Sequence, residues 1–98
     1  MYTVVAVHHP ESERFADAMN VLQSILDGIE GAPGLLAGYV GSNGTRTEAM
    51  AMTLWEEKEQ FDTVFPRIQA AIAGSGILDW ATRPPRAMKY FLSEHRPA

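Results

Sequence analysis

The sequence predicts an α+β domain: a four-stranded antiparallel sheet with two helices on one face, in the order β-α-β-β-α-β. Three observations carry this reading. The chain opens on a run rich in β-branched residues, "YTVVAV". Two later stretches repeat apolar residues at helical steps, and an Asn-Gly pair separates two further strand candidates. With 98 residues the chain is expected to form one domain, 1–98. A domain this small buries about two-thirds of its unfolded surface, which leaves little stability in reserve.

Taken in order, Tyr2 to Val7 is apolar in both alternating sets, Tyr2/Val4/Ala6 and Thr3/Val5/Val7, as expected of a central strand covered on both faces. Pro10 is placed to open a helix, because a first-turn proline loses no hydrogen bond, and Glu11 and Glu13 favour the positive end of its dipole. Phe15, Met19, Leu22, Ile25, Leu26 and Ile29 then form one apolar stripe. "DGIEGAPG" ends that helix, and Leu35 to Val40 reads as the second strand. "GSNGT" signals an Asn-Gly hairpin, so the third strand, about Thr47 to Trp55, returns antiparallel beside the second. On it a small row, Ala49, Ala51 and Thr53, ends at Trp55, and a large row, Met50, Met52 and Leu54, takes the other face. The second helix is expected over Glu57 to Ala73, with Phe61, Val64, Phe65, Ile68 and Ile72 inward. Pro66 inside it predicts a kink or break near Phe65. "GSGILDWATRPPR" reads as a loop, and Ala87 to Ser93 as the last strand.

This order is that of the ferredoxin-like split motif. Two helices cover one sheet face only, yet the first and third strands are apolar on both. The bare face is therefore expected to pack on its copy in a sheet-to-sheet homodimer. Composition narrows the function classes further. At 46% hydrophobic and 20% charged residues, with no apolar run long enough to span a bilayer, no membrane association is expected. The opening residues lack the basic start and cleavage site of a secretory signal, so a cytoplasmic location is expected. The absence of cysteine excludes disulfides, thiolate metal sites and cysteine nucleophiles. A net charge of −4 with scattered basic residues argues against a nucleic-acid partner.

The strand order, Pro33-Gly34 ahead of the second strand, and a third strand ending in Trp55 followed by Glu56, Glu57 and Phe61 resemble the dimeric α+β barrel superfamily. Within it, the likeness is to the antibiotic biosynthesis monooxygenase domain and covers nearly the whole chain. The resemblance implies a homodimer whose two sheets form a barrel, with a pocket in each subunit between sheet and helices. It also implies, for one branch, oxidation of phenolic polyketides without a cofactor. The haem-degrading branch uses an asparagine on the first strand, the tryptophan ending the third and a histidine on the second helix. Of these three the chain supplies only Trp55.

The candidate site residues each have two readings. Trp55 either stacks on a planar ligand lying over Ala51 and Thr53 or plugs the core beneath a helix. His8 and His9, adjacent at a strand end, point to opposite faces; one could line the pocket as a base, or both could be solvated. Arg83 and Arg86, bracketing Pro84-Pro85, and also Arg46, offer guanidinium forks to an anion or are hydrated loop residues. Tyr39 is a proton donor or a packing residue, and Phe61 and Phe65 supply an aromatic wall. No metal site is expected, because no third ligand follows at usable spacing, and no bound cofactor is expected. The catalytic set is thus His8, His9 and Arg86, and the substrate-binding set is Trp55, Ala51, Thr53, Tyr39, Phe61, Phe65 and Arg83. Together they suit a cofactor-independent monooxygenase acting on a small planar aromatic or polyketide-like molecule. The alternative is a non-catalytic dimeric module that binds or senses a small molecule.

Overall fold

A computed structural model describes all 98 residues. The chain runs through β1 (Tyr2–His8), a 3-10 turn (Ser12–Arg14), α1 (Phe15–Gly28), β2 (Leu35–Ser42), β3 (Ala49–Trp55), α2 (Lys58–Ser75) and β4 (Arg86–Phe91). The strands form one sheet in the order β2-β3-β1-β4, every neighbouring pair antiparallel. This is the ferredoxin-like α+β arrangement.

Register decides which residues meet. Tyr2 lies between Trp55 and Phe91, Val4 between Thr53 and Lys89, and Ala6 between Ala51 and Ala87. These rows face the helices. Under α2 the buried core gathers Tyr2, Val4, Ile29, Trp55, Phe61 and Val64. Under α1 it gathers Phe15, Ala18, Leu22, Ala49 and Ile77. Gly38 lets α1 settle onto β2, because a Cβ there would stand 3.3 Å from Leu26 Cδ1. The opposite face, with Thr3, Val5 and Val7 beside Met50, Met52 and Leu54, carries no helix. Within one chain β1 is therefore covered by helices on one face, as the element order predicts, and its second apolar row lies on the face without a helix.

Several local expectations are corrected. Pro10 does not open the helix: it forms a bridge with Ala81, and the Glu11 N–H donates to the Trp80 carbonyl at 2.8 Å, so helical turns begin only at Ser12. The Asn-Gly pair does not make a two-residue turn. The ladder stops at Ser42 and Ala49, and the Asn43 side chain organises the loop by accepting from the N–H groups of Thr47 and Glu48, both at 2.9 Å. The left-handed residue there is Arg46, φ 57°, not Gly44. α2 runs unbroken through Pro66. Both Pro66 and Asp62, whose carbonyl loses its helical partner, are exposed, so water can satisfy that carbonyl. The segment after α2 is not a free loop either, since Ile77 is buried to 1% exposure in the α1 core.

An apolar cavity as candidate functional site

α1 packs over β2 and β3, and α2 over β3, so the space below α2 toward β1 and β4 is left unfilled. A cavity of about 460 Å³ lies there. Its floor exists because Ala51, Ala6 and Ala87 stand side by side across three strands and none fills the height under the helix. Ile25 of α1, Ile29 just past its end, and Phe61, Phe65, Ile68 and Ile72 of α2 close it from above. The polar groups along this apolar wall are few: His8, Thr53, Gln69, Arg86 and Lys89. Few polar groups on an apolar lining are the usual make-up of a small-molecule site.

His8 ends β1 opposite Ala49, with 4% of its surface exposed. Burial first, and then the neighbouring His9, hold its pKa below the ordinary histidine value. It is therefore neutral near pH 7 and able to accept a proton inside the cavity. Arg86 borders the same end from the start of β4, although its register with Val7 sets it in the row of the open face. Lys89 borders the other end: its ammonium stands 5.6 Å from the Phe61 ring centre and 5.3 Å from that of Phe65. No three His, Asp or Glu side chains converge in a group that could hold a metal ion.

Comparison with known proteins separates fold from sequence. No family model and no curated protein sequence matches the chain. Solved structures do. A candidate antibiotic biosynthesis monooxygenase of Deinococcus radiodurans superposes with a TM-score of 0.85 at 16% identity, over 100% of this chain and 98% of that one. A mutant of SnoaB, a cofactor-independent oxygenase of Streptomyces nogalater, gives 0.80 at 12% identity, over 99% and 97%. The ActVA-Orf6 monooxygenase of Streptomyces coelicolor, in complex with nanaomycin D, gives 0.78 at 16% identity, over 99% and 91%. The chain has the antibiotic biosynthesis monooxygenase fold.

Within that fold the sequence-predicted residues separate into two groups. His8, Ala51, Thr53, Phe61, Phe65 and Arg86 are brought together around the cavity. Trp55 is not: it has no exposed surface, its Nε1 donates to Thr53 Oγ1 at 2.8 Å, and it meets Phe61 edge to face at 5.8 Å. It supports a cavity wall from behind. His9 is buried rather than solvated, and outside the lining. Its carbonyl accepts from the Thr82 N–H at 2.7 Å and hydroxyl at 3.0 Å, and its Nδ1 lies 3.8 Å from Glu48 Oε2 without a hydrogen bond. Arg83 is exposed and borders no part of the cavity, and Arg46 stacks on Phe15 at 4.9 Å.

Tyr39 is displaced by a single irregularity. Leu35 faces Trp55 on the helix side, and plain alternation would put Ala37 and Tyr39 there too. A bulge between Leu35 and Ala37 shifts the register, so Tyr39 pairs with Met52 on the open face and is 56% exposed. Lys89 is the residue that sequence reading overlooked. The signal was available: β4 alternation puts Ala87, Lys89 and Phe91 on the helix face, and a lysine in a row meant for the core is anomalous.

Proposed function

We propose that the chain is a cofactor-independent monooxygenase that oxidises a small planar phenolic or polyketide-like aromatic in this cavity. The observation that carries the reading is His8, a buried neutral imidazole at one end of an apolar cavity that Arg86 also borders. His8 takes the phenolic proton, and Arg86, an exposed residue at the cavity's edge, steadies the resulting anion. Phe61 and Phe65 hold the rings flat against the alanine floor. The electron-rich anion then reacts with dioxygen itself: the oxygen adds to a ring-flanking CH₂ carbon, and the peroxide so formed loses water. The balance is CH₂ plus O₂ giving C=O plus H₂O, with one oxygen atom entering the product. The fold shared with a cofactor-independent oxygenase and with a monooxygenase solved with nanaomycin D supports this reading.

The deciding experiment is oxygen uptake by the purified protein against a panel of anthrones, naphthols and hydroxyanthraquinones. Turnover that falls about 100-fold or more in His8→Ala supports the assignment of the base. Uptake at background across the whole panel sinks the oxygenase reading.

A second reading draws on Trp55. With its N–H engaged by Thr53 and no tyrosine hydroxyl in the lining, the cavity offers one base and few partners for catalysis. A dimeric module that binds or senses a planar small molecule would show saturable binding without oxygen uptake. For either reading we propose a homodimer through the open sheet face, where half-buried Val5, Met50, Met52 and Leu54 lie beside exposed Tyr39 and Tyr90. No helix of the chain is long and apolar enough to cross a membrane.

A further inference from the structure

The cavity is positively charged in an acidic protein. The chain holds 12 Asp and Glu against 8 Lys and Arg, yet no Asp or Glu lines the cavity, whereas Arg86 and Lys89 both do. Neither cation has a carboxylate within 4.0 Å. They also sit at opposite ends: Arg86 in register with Val7 beside His8, and Lys89 in register with Val4 under the rings of Phe61 and Phe65. Two strand residues, Ala87 and Met88, lie between them, so their backbones are about 10 Å apart. An apolar chamber of that length with a base at one end and an unpaired ammonium at the other is built for a molecule with two different ends.

We infer that the substrate or ligand is a planar fused-ring phenol that also carries a permanent anionic group, such as a carboxylate, at its far end, and that Lys89 anchors that group. This rests on the cavity being the binding site and deepens that reading by fixing the ligand's charge and direction. The phenol goes to His8 and Arg86, the rings lie on the alanine floor, and the carboxylate meets Lys89, an exposed residue whose ammonium stands over the two phenylalanine rings at the cavity's rim. Lys89 is thus a specificity-determining residue and takes no part in the oxygen chemistry. At this solvent-exposed rim an ammonium still gains from a carboxylate a charge-assisted hydrogen bond that the amide of the same shape does not match.

The test is calorimetric titration of the whole protein with 6-hydroxy-2-naphthoate and with 6-hydroxy-2-naphthamide, which share rings and hydroxyl and differ in the distal charge. The acid is expected to bind about tenfold tighter than the amide. In Lys89→Met the acid should fall to the level of the amide, with the amide itself changed by less than about twofold; Lys89→Arg should restore the preference. Arg83→Met, which removes a cation outside the lining, should leave the preference intact. The isomer 3-hydroxy-2-naphthoate, with both groups at one end, should bind more weakly than the 6-hydroxy acid. Equal affinity for acid and amide in the unmodified protein overturns the inference while leaving the cavity as a binding site. So does a preference that survives in Lys89→Met. Failure of both compounds to bind overturns the cavity reading along with it.

Discussion

Two side chains near the cavity divide support from contact. Phe61 lies between Trp55 and the chamber, so the indole fixes a wall without touching what the wall holds. Replacing Trp55 with phenylalanine removes the Nε1 donor from Thr53 and leaves a void where no exposed surface existed. We expect Trp55→Phe to lose about 2 kcal/mol in urea unfolding, with naphthoate affinity changed by less than about threefold. A large loss of affinity at unchanged stability would put the indole back in the site. The sequence left this choice open for a physical reason: a small row ending in tryptophan suits a plug or a wall equally, and the outcome depends on where Phe61 of another element falls. His8 carries a second expectation. Its pKa is depressed in the folded chain, so between the folded and unfolded values the unfolded state holds more protons. Stability from this group is therefore present above about pH 6.5, the ordinary histidine value, and is lost as pH falls toward the folded pKa. The acid limb of the stability profile should flatten in His8→Gln, and the acid limb of turnover should lie below pH 6.5. Turnover rising toward acid pH would contradict the base assignment.

At the scale of elements, the junction between β2 and α2 is tied together at one glycine. Gly34 adopts φ 83°, and its carbonyl accepts from the Glu56 N–H at 2.9 Å. A Cβ at that position would collide with the Gln60 side chain, whose Oε1 accepts from the Glu57 N–H at 3.0 Å to close the capping box of α2. Gly34→Ala therefore meets both backbone strain and a displaced cap, and we expect a loss of about 2 kcal/mol in chemical denaturation. A loss below about 0.5 kcal/mol would show that the cap moves freely. Element order and faces were legible because the helix stripes and the two rows of β3 are strong periodic signals. The misses came where a particular contact or irregularity, near in sequence or far, overrode the general local preference. Trp80 and Ala81 took the polar groups around Pro10, Asn43 built its own loop, and one bulge turned Tyr39 to the other face. The cavity was only half legible. Its alanine floor joins residues from three strands and could be read only once the register was known.

For the whole molecule, the sheet separates two surfaces with different tasks. The helix face holds the core and the cavity, and the other face lays methionines, Leu54 and Val5 side by side without a helix over them. The proposed homodimer follows from that imbalance, because a patch of this character in a small domain exposes apolar area that a second copy can bury. Met52 is the place to test it, lying between Val5 and Tyr39 near the middle of the open face. In light scattering the unmodified chain is expected at twice its 10.8 kDa mass. Met52→Glu would bury an unpaired carboxylate in each of two facing sheets, a cost of about 3 kcal/mol or more, and should weaken association by at least about 100-fold. A 10.8 kDa species for the unmodified chain at tens of micromolar would remove the homodimer proposal. Because Met52 points away from the cavity, the monomer so produced also separates two roles of assembly. If naphthoate binding persists at low temperature while the melting point drops, the partner contributes stability that a 98-residue core lacks, and the site belongs to each chain alone.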